Sequence, residues 1–398
     1  MDSLIKQKTD LIAECIVAKI QKQQQETSFG LYSGAFGYLL FLFYYSKYSG
    51  KKKFVSFTEE YAEQLLDGLS GGIRRHTYCD GLSGVLYLLI FLKENHFIDM
   101  DVSDVQLLLD NYLVTMMRHD IIEGYYDFMH GALGVGLYFL KRGDAVEYIR
   151  ELIDFLYETA KKDRTGQTFK WESSVMKNES EHIPVYNLAM SHGMSSIIIF
   201  LSRIIKSGMT DDKITEMLTG AVNYILSQQK DFSKYGFCFP SYLPTDNSGS
   251  ILRSRLAWCY GDLDVGIALL QAGKALHNTA WQKTGISVLL QSAKRLDLVE
   301  NFVIDAEICH GSAGIAMIFR RMFLETNRNE FAEATRYWLN QTLNFSRFVD
   351  GPAGYKTFQF KEWKSTCSLL DGIAGIGLVM VSCLFDDRQN WDEMFLLS

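Results

Sequence analysis

Two cysteines and one histidine have the types and spacing of metal ligands. Cys259 lies in the segment Trp258-Cys259-Tyr260-Gly261, and the pair Cys309-His310 stands directly before Gly311. Two thiolates and an imidazole form a soft to borderline ligand set that suits Zn²⁺. Three protein ligands leave a fourth position open, which is typical of a catalytic rather than a structural zinc site. The alternative is that both cysteines are small buried hydrophobes and His310 is a core histidine.

The two cysteines occupy equivalent positions in an internal repeat. A tetrad of small residues followed by a nearly unbroken apolar run occurs seven times, at intervals of 47 to 68 residues. Cys259 and Cys309 each stand two residues before the first glycine of a tetrad. Equivalent positions of adjacent repeats become neighbours in a ring, so the repeat predicts that these ligands meet. The tetrads begin at Gly34, Gly81, Gly131, Gly193, Gly261, Gly311 and Gly372.

Polar side chains are concentrated at the position directly before each tetrad. Three of the eight histidines fall in these seven places. Because the tetrads start apolar helices whose ends share one mouth, the pattern predicts a functional rim there. In chain order these residues are Ser33, Asp80, His130, His192, Tyr260, His310 and Asp371.

The elements that must position these side chains are helical hairpins. Between the tetrads lie more polar segments with helical periodicity, such as Asp104–Met117 and Asp212–Gln229, and the chain has only four prolines. Each unit of roughly 50 residues fits one outer amphipathic helix and one inner helix that is apolar on every side. We therefore predict an all-α fold, an α/α toroid of seven helical hairpins with about fourteen helices. Residues 1–398 would form a single domain, with the repeats over about 30–380.

Two long intervals between the tetrads predict insertions. Thr165–Val185 is polar, and Gln228–Leu252 contains two prolines and the turn sequence Asp246-Asn-Ser-Gly249. We expect both to form loops near the mouth of the ring.

Composition excludes several other classes of function. Forty basic against 47 acidic residues give a net charge of −7, with no basic block beyond Lys51–Lys53, so nucleic acid is not expected as a partner. The apolar runs are shorter than the ~20 residues that cross a bilayer, so no integral membrane protein is expected. Residues 1–20 carry charges throughout, unlike a signal peptide. Seven scattered cysteines do not form a disulfide framework, and we expect a cytoplasmic protein with reduced thiols.

Several motifs together resemble the lanthionine synthetase C-like family. They are Trp258-Cys259-Tyr260-Gly261, Cys309-His310-Gly311, Ser191-His192-Gly193 and the seven glycine tetrads, and the resemblance spans about Gly30 to Met380. It implies the α/α toroid, one zinc ion per chain held by Cys259, Cys309 and His310, and lanthionine synthetase activity. Such an enzyme is a standalone lanthipeptide cyclase of antibiotic biosynthesis. It adds peptide cysteine thiols to dehydroalanine or dehydrobutyrine in a Michael-type reaction and closes thioether rings.

The resemblance also implies roles for residues outside the metal site. His192 matches a histidine of proton transfer, and Asp127 matches an active-site aspartate. Arg255 and Tyr260, which flank the first zinc cysteine, match the remaining polar pair, and Trp258 would shape the substrate pocket. On residue type alone, Arg255 would suit a surface position and Asp127 a helix cap.

One departure from the family pattern follows the first zinc motif. Where the family usually has a small residue or proline and then glycine, this sequence has Asp262-Leu263-Asp264. The fourth tetrad also ends in Ser195-Ser196. These changes leave the ligands intact and bear on the shape of the substrate cleft.

The expected partners follow from the reaction. A dehydrated precursor peptide would be the substrate, a separate dehydratase would supply it, and an exporter is a further expected partner. One alternative is a family relative that binds glutathione or adds it to dehydrated residues, using the same zinc site. Others are a zinc prenyltransferase-like toroid, which would need a carboxylate ligand and a lipid funnel, and a toroidal glycosidase, which would need paired acids without the thiolates.

Overall fold

The computed structural model describes residues 1–22, 28–69, 75–99, 103–176, 181–246, 253–385 and 388–398. Within them, the helices are α1 (Asp2–Lys22), α2 (Ala35–Ser49), α3 (Lys52–Gly68), α4 (Leu82–Glu94), α5 (Ser103–Ile122), α6 (Ala132–Arg142), α7 (Val146–Thr159), α8 (Met194–Lys206), α9 (Asp212–Ser227), α10 (Phe232–Tyr235), α11 (Asp262–Ala275), α12 (Thr279–Ser292), α13 (Ser312–Thr326), α14 (Asn329–Asn344) and α15 (Ile373–Ser382). The strands are β1 (Lys161–Lys162), β2 (Phe169–Lys170), β3 (Ser173–Met176), β4 (His182–Asn187), β5 (Tyr242–Pro244), β6 (Thr357–Gln359) and β7 (Glu362–Lys364). Short 3₁₀ helices span Pro352–Gly354 and Trp391–Phe395.

Each predicted tetrad starts a buried helix. The helices α2, α4, α6, α8, α11, α13 and α15 all begin one residue after the first glycine of a tetrad. All ten residues of α15 are buried, as expected for a helix that is apolar on every side. A Cβ at Gly314 would lie 1.8 Å from the carbonyl oxygen of Ile308, and one at Gly375 would lie 1.9 Å from that of Leu369. Glycine is therefore needed where these helices begin against the preceding loop.

The inner helices pack with amphipathic partners. Helices α3, α7, α9, α12 and α14 follow α2, α6, α8, α11 and α13 in the chain and pack against them. In α7, for example, Ile149, Leu152, Ile153 and Leu156 are buried on one face. Helix α1 packs against α15, so the last inner helix receives its partner from the N-terminal segment. The predicted helical hairpins are confirmed.

The chain divides into two compact units. Unit 1 contains Met1–Met116 and Ile304–Phe395, and unit 2 contains Met117–Val303 and Leu396–Ser398. Within unit 1, α15 packs beside both α2 and α13; within unit 2, α8 packs beside both α6 and α11. A single domain over the whole chain stays a prediction. None of the helices in the described ranges is long and apolar enough to cross a membrane.

The described residues of both insertions include short strands as well as loops, and the expectation of loops alone was wrong there. Strands β3, β4 and β5 make an antiparallel sheet in that order, with Ser174 opposite Pro184 and Val185 opposite Pro244. The sheet joins both insertions, because β5 comes from the second one. No local pattern reveals a pairing between segments so far apart in sequence. Residues 247–252 of the second insertion lie outside the described ranges.

Candidate active site

Asp127 and His192 form a hydrogen-bonded pair in unit 2. In the turn before α6, Oδ1 of Asp127 accepts hydrogen bonds from the backbone N–H groups of Met129 and His130, both at 2.8 Å. Its other oxygen, Oδ2, lies 2.7 Å from Nδ1 of His192, which stands directly before Gly193 and α8. Because two amides fix the carboxylate, the imidazole is held with Nε2 as its nitrogen for proton transfer.

The surroundings of His192 favour its protonated form. Burial by itself would lower the pKa of the imidazole, since the charged form loses hydration. The hydrogen bond and charge of Asp127 outweigh this effect, the charge of Cys259 adds to them, and the pKa of His192 is raised. With 33% of its side chain exposed, His192 is still accessible to a substrate. The pair can therefore donate a proton to a bound molecule.

Three of the predicted residues line one cavity of about 850 Å³. Asp127, His192 and Tyr260 contribute to its wall, whereas Arg255 and Trp258 are not among the described residues that line it. The other lining residues are Gly124, Tyr125, Tyr126, Glu172, Ser173, Ser174, Val175, Met176, His182, Pro184 and Tyr242. The cavity is thus bounded by the Asp127–His192 pair and by the sheet of the insertions.

Cys259 lies in a tight loop beside His192. An isolated antiparallel bridge joins Leu256 to Gly261 and closes this loop at its base. The hydroxyl of Ser191 donates a hydrogen bond to the carbonyl oxygen of Cys259 at 3.1 Å. Trp258 is completely buried and Cys259 is 3% exposed. Trp258 therefore supports the loop from the protein interior.

Asp262 is the first acidic residue of the segment that departs from the family pattern. It holds a neighbouring loop and a buried arginine. The carboxylate of Asp262 accepts hydrogen bonds from the N–H groups of Cys238 at 2.9 Å and Phe239 at 2.8 Å. It also pairs with Arg295 at 2.9 Å, and both side chains are buried. Arg295 in turn donates to the carbonyl oxygen of Ser254 at 2.7 Å. Sequence reasoning missed Arg295, which has no motif around it.

The second acidic residue of the departure holds the loop that leads to His192. Oδ2 of Asp264 accepts a hydrogen bond from the N–H of Met190 at 2.7 Å. Asp264 is fully buried, and burial raises the pKa of its carboxyl well above the usual range. Neither Asp262 nor Asp264 is among the residues that line the cavity. Asp262 and Asp264 thus hold the loops around the cavity in place, and other residues form the cavity wall.

Cys309 and His310 lie in a loop of unit 1 that precedes α13. The N–H groups of Ile308 and Cys309 both donate to the carbonyl oxygen of Leu370, at 3.1 and 3.3 Å. A carboxylate oxygen of Glu307 lies 2.7 Å from Nδ1 of His310. Glu307 is buried, and burial raises the pKa of its carboxyl. A carboxylate on Nδ1 fixes the ring orientation of a histidine and assigns Nε2 to the metal.

The same loop contains further carboxylates close to these two residues. Sequence reasoning missed Glu307, although its place three residues before His310 was a usable signal. Oxygen-rich groups suit harder cations, whereas cysteine thiolates select softer ones such as zinc. Two sets within unit 1 have ligand atoms close enough to hold a metal ion, namely Asp305 with Glu307 and His310, and Glu307 with Cys309 and Asp371.

Comparisons with known proteins identify the family of this chain. A family model described as lanthionine synthetase C-like protein matches residues 25–396. The chain belongs to the lanthionine synthetase C-like family. Among solved structures, nisin cyclase superimposes with a TM-score of 0.77 at 19% sequence identity, over 97% of this chain and 96% of that one. No curated protein matches the sequence significantly.

These matches confirm the predicted family and fold class, the α/α toroid of lanthionine synthetase C-like proteins. The residues of this member are chemically fit for a zinc site. Neither Cys259 nor Cys309 is part of a disulfide, and a cysteine binds a metal as its thiolate. The buried carboxylate of Glu307 against His310 is the kind of contact that orients a metal-binding imidazole.

Proposed function

We propose that this protein is a zinc-dependent lanthipeptide cyclase. It would add peptide cysteine thiols to dehydroalanine or dehydrobutyrine and form lanthionine or methyllanthionine rings. Family membership and the likeness to nisin cyclase support the class of enzyme. The observation that carries the proposal is the Asp127–His192 pair, which lines a cavity next to the loop of Cys259.

Cys259, Cys309 and His310 are the proposed ligands of one zinc ion per chain. Their donor set of two sulfurs and one nitrogen suits zinc. Glu307 would hold the ring of His310 in place. Zinc, when bound, supplies Lewis acidity that favours the thiolate form of a substrate thiol.

His192 is the proposed proton donor of the addition. In this reaction the sulfur forms a bond to the β-carbon of the dehydrated residue, and the electrons of the carbon–carbon double bond move towards the α-carbon and its carbonyl. His192 Nε2 delivers a proton to the α-carbon, and the proton released by the thiol restores the imidazolium. Asp127 stabilises that imidazolium through its contact with Nδ1.

Three other residues receive supporting roles in the proposal. Tyr260 lines the same cavity and is the second candidate for the proton donor. Arg255 would either stabilise the developing enolate oxygen, as an oxyanion-stabilising group does, or anchor Asp127. Trp258 would shape the pocket from behind the loop of Cys259, since it is completely buried.

The substrate follows from the reaction we propose. It would be a dehydrated precursor peptide, supplied by a separate dehydratase in the cytoplasm, and the cyclised product would pass to an exporter. The likeness to nisin cyclase extends over nearly the whole of both chains and supports a cyclising role.

Metal content and ring closure test the proposal together. Purified wild-type protein should contain about one zinc ion per chain by inductively coupled plasma mass spectrometry, and Cys309→Ala should lose it. With a peptide that contains dehydroalanine and cysteine, the wild type should consume the free thiol, as followed by alkylation and mass spectrometry. A metal-free wild type, or addition of glutathione without closure of a peptide ring, would contradict the proposal.

A further inference from the structure

Strand β3 presents its edge to the cavity. Among the described strands it pairs with β4 alone, so its other side is the edge of the sheet. Five consecutive residues, Glu172–Met176, line the cavity. Side chains of a strand alternate between its two faces, so consecutive residues line one cavity when the edge of the strand faces it. The backbone of β3 is therefore next to the space where a substrate would lie.

Pro184 determines which backbone groups of β3 point outwards. Pro184 stands opposite Ser174 and has no N–H, and its carbonyl oxygen accepts a hydrogen bond from Thr245 on the β5 side at 3.4 Å. Antiparallel strands alternate between hydrogen-bonded and non-hydrogen-bonded pairs. Ser174 is thus in a non-hydrogen-bonded pair, and its N–H and C=O point away from β4. Met176, two residues further along, has the same orientation.

The outward-facing groups lie beside the proposed proton donor. The hydroxyl of Ser173 contacts the carbonyl oxygen of His192 at 3.5 Å. Asp127 and His192 line the same cavity as Ser174. Ser174 and Met176 are exposed, so a bound chain can approach their backbone. A peptide that runs along β3 therefore passes His192.

We propose that the peptide substrate binds in an extended conformation, as an added strand on the open edge of β3. Its N–H and C=O groups would pair with those of Ser174 and Met176. The identity of the occupant as the cyclisation substrate rests on the proposed function, whereas the binding mode rests on the sheet. Main-chain pairing does not depend on side-chain identity, so one edge can hold several ring segments of different sequence.

Removing one outward N–H tests this binding mode. Ser174→Pro deletes the donor that faces the cavity and leaves the bonds between β3 and β4 in place, because this position does not use its N–H there. The probe is a short fluorescein-labelled linear peptide with one dehydroalanine and one cysteine. Its affinity, measured by fluorescence anisotropy, should fall about tenfold or more. Arg164→Pro is the matched control, since Arg164 lies in the exposed turn Asp163–Gly166 and should keep wild-type affinity.

A second measurement does not depend on how Ser174→Pro folds. A series of probes, each N-methylated at one backbone position, is bound to the wild-type protein. Strand addition predicts that affinity falls at every second position, because only alternate N–H groups face β3. Loss at no position, loss without a period of two, or a wild type that does not bind the probe would overturn the proposal.

The outcomes separate this inference from the proposed function. If the scan alternates but the thiol of the probe is never consumed, strand addition stands and the cyclase function fails. If rings close at the wild-type rate in a folded Ser174→Pro protein and the scan does not alternate, the cyclase function stands and strand addition fails.

Discussion

In the proposed mechanism, His192 and Asp127 perform the proton transfer, which depends least on the metal. We expect His192→Asn to reduce ring closure by about 10²–10⁴-fold, because asparagine cannot supply a proton in this way. Zinc content should stay at the wild-type level, since His192 is not a proposed ligand. His277→Asn is the matched control, because His277 is exposed at a left-handed backbone position, φ +53°, that asparagine tolerates. Ring closure followed by thiol alkylation measures the effect, and near-wild-type rates in His192→Asn would remove its role.

A second prediction at this scale concerns the effect of Glu307 on metal affinity. Glu307→Gln keeps the shape of the side chain but replaces the carboxyl group that contacts Nδ1 of His310 with an amide. Loss of such a partner typically weakens metal affinity 10–100-fold. Competition with a chromophoric zinc chelator measures this change, with the exposed Glu330→Gln as the control. Unaltered affinity would show that Glu307 does not orient the ligand.

The resemblance to the family supplied His192 and Asp127 as candidate residues but not the contact between them. The structure adds that they touch through Nδ1 of His192. Glu307 and Arg295 were missed because their importance comes from burial beside a charged partner, which a single sequence does not encode.

At the scale of elements, the loop that carries Cys259 depends on one glycine. Gly261 has φ +109°, and a Cβ there would lie 2.2 Å from the carbonyl oxygen of Arg255. Gly261→Ala should therefore destabilise the protein by more than the ~1–2 kcal/mol of a left-handed alanine alone, and should reduce zinc content. Gly208→Ala isolates the conformational cost, because Gly208 has φ +89° with open space around it. Equal losses of unfolding free energy in urea would contradict the argument.

The pair of Arg295 and Asp262 is the second prediction at this scale. Arg295→Met would leave the buried Asp262 carboxylate without its cationic partner and should cost about 3–5 kcal/mol. The control is Arg253→Met, whose pair with Glu300 is exposed and should contribute less than about 1 kcal/mol. The difference between the two variants in chemical denaturation is the quantity to measure. A loss in Arg295→Met as small as in the control would mean that the loops are held by other contacts.

The helices were predictable and the sheet was not, for physical reasons. A tetrad of small residues followed by an apolar run marks a buried helix start locally, so all seven inner helices were found. Strand β3 has four residues, and the sheet is completed by β5 from another insertion. Such pairing depends on where the helical framework brings the two segments, and that information is non-local.

At the scale of the whole molecule, a buried ion pair links stability to pH. Asp392 contacts Arg321 at 2.8 Å, and both side chains are less than 10% exposed. Burial raises the pKa of Asp392 to about 6, against the lowering effect of Arg321. The folded protein therefore binds this proton more tightly than the unfolded chain does. Protonation of Asp392 therefore stabilises the folded protein. This contribution is complete below pH 3.8, the pKa of Asp392 in the unfolded chain, and is lost as the pH rises through about 6.

Asp392→Asn tests this linkage, because asparagine does not titrate. Near pH 4 the two proteins should be about equally stable, because Asp392 is then protonated in the folded protein and both side chains are neutral. The stability of the wild type relative to the variant should then fall by roughly 2–3 kcal/mol between pH 4 and pH 7, which corresponds to about two pKa units. Urea denaturation of both proteins at several pH values measures their unfolding free energies. In the difference between the two, the contributions of the titratable groups that they share cancel. An advantage that grows with pH would show that Arg321 outweighs burial and holds the pKa of Asp392 below its usual value.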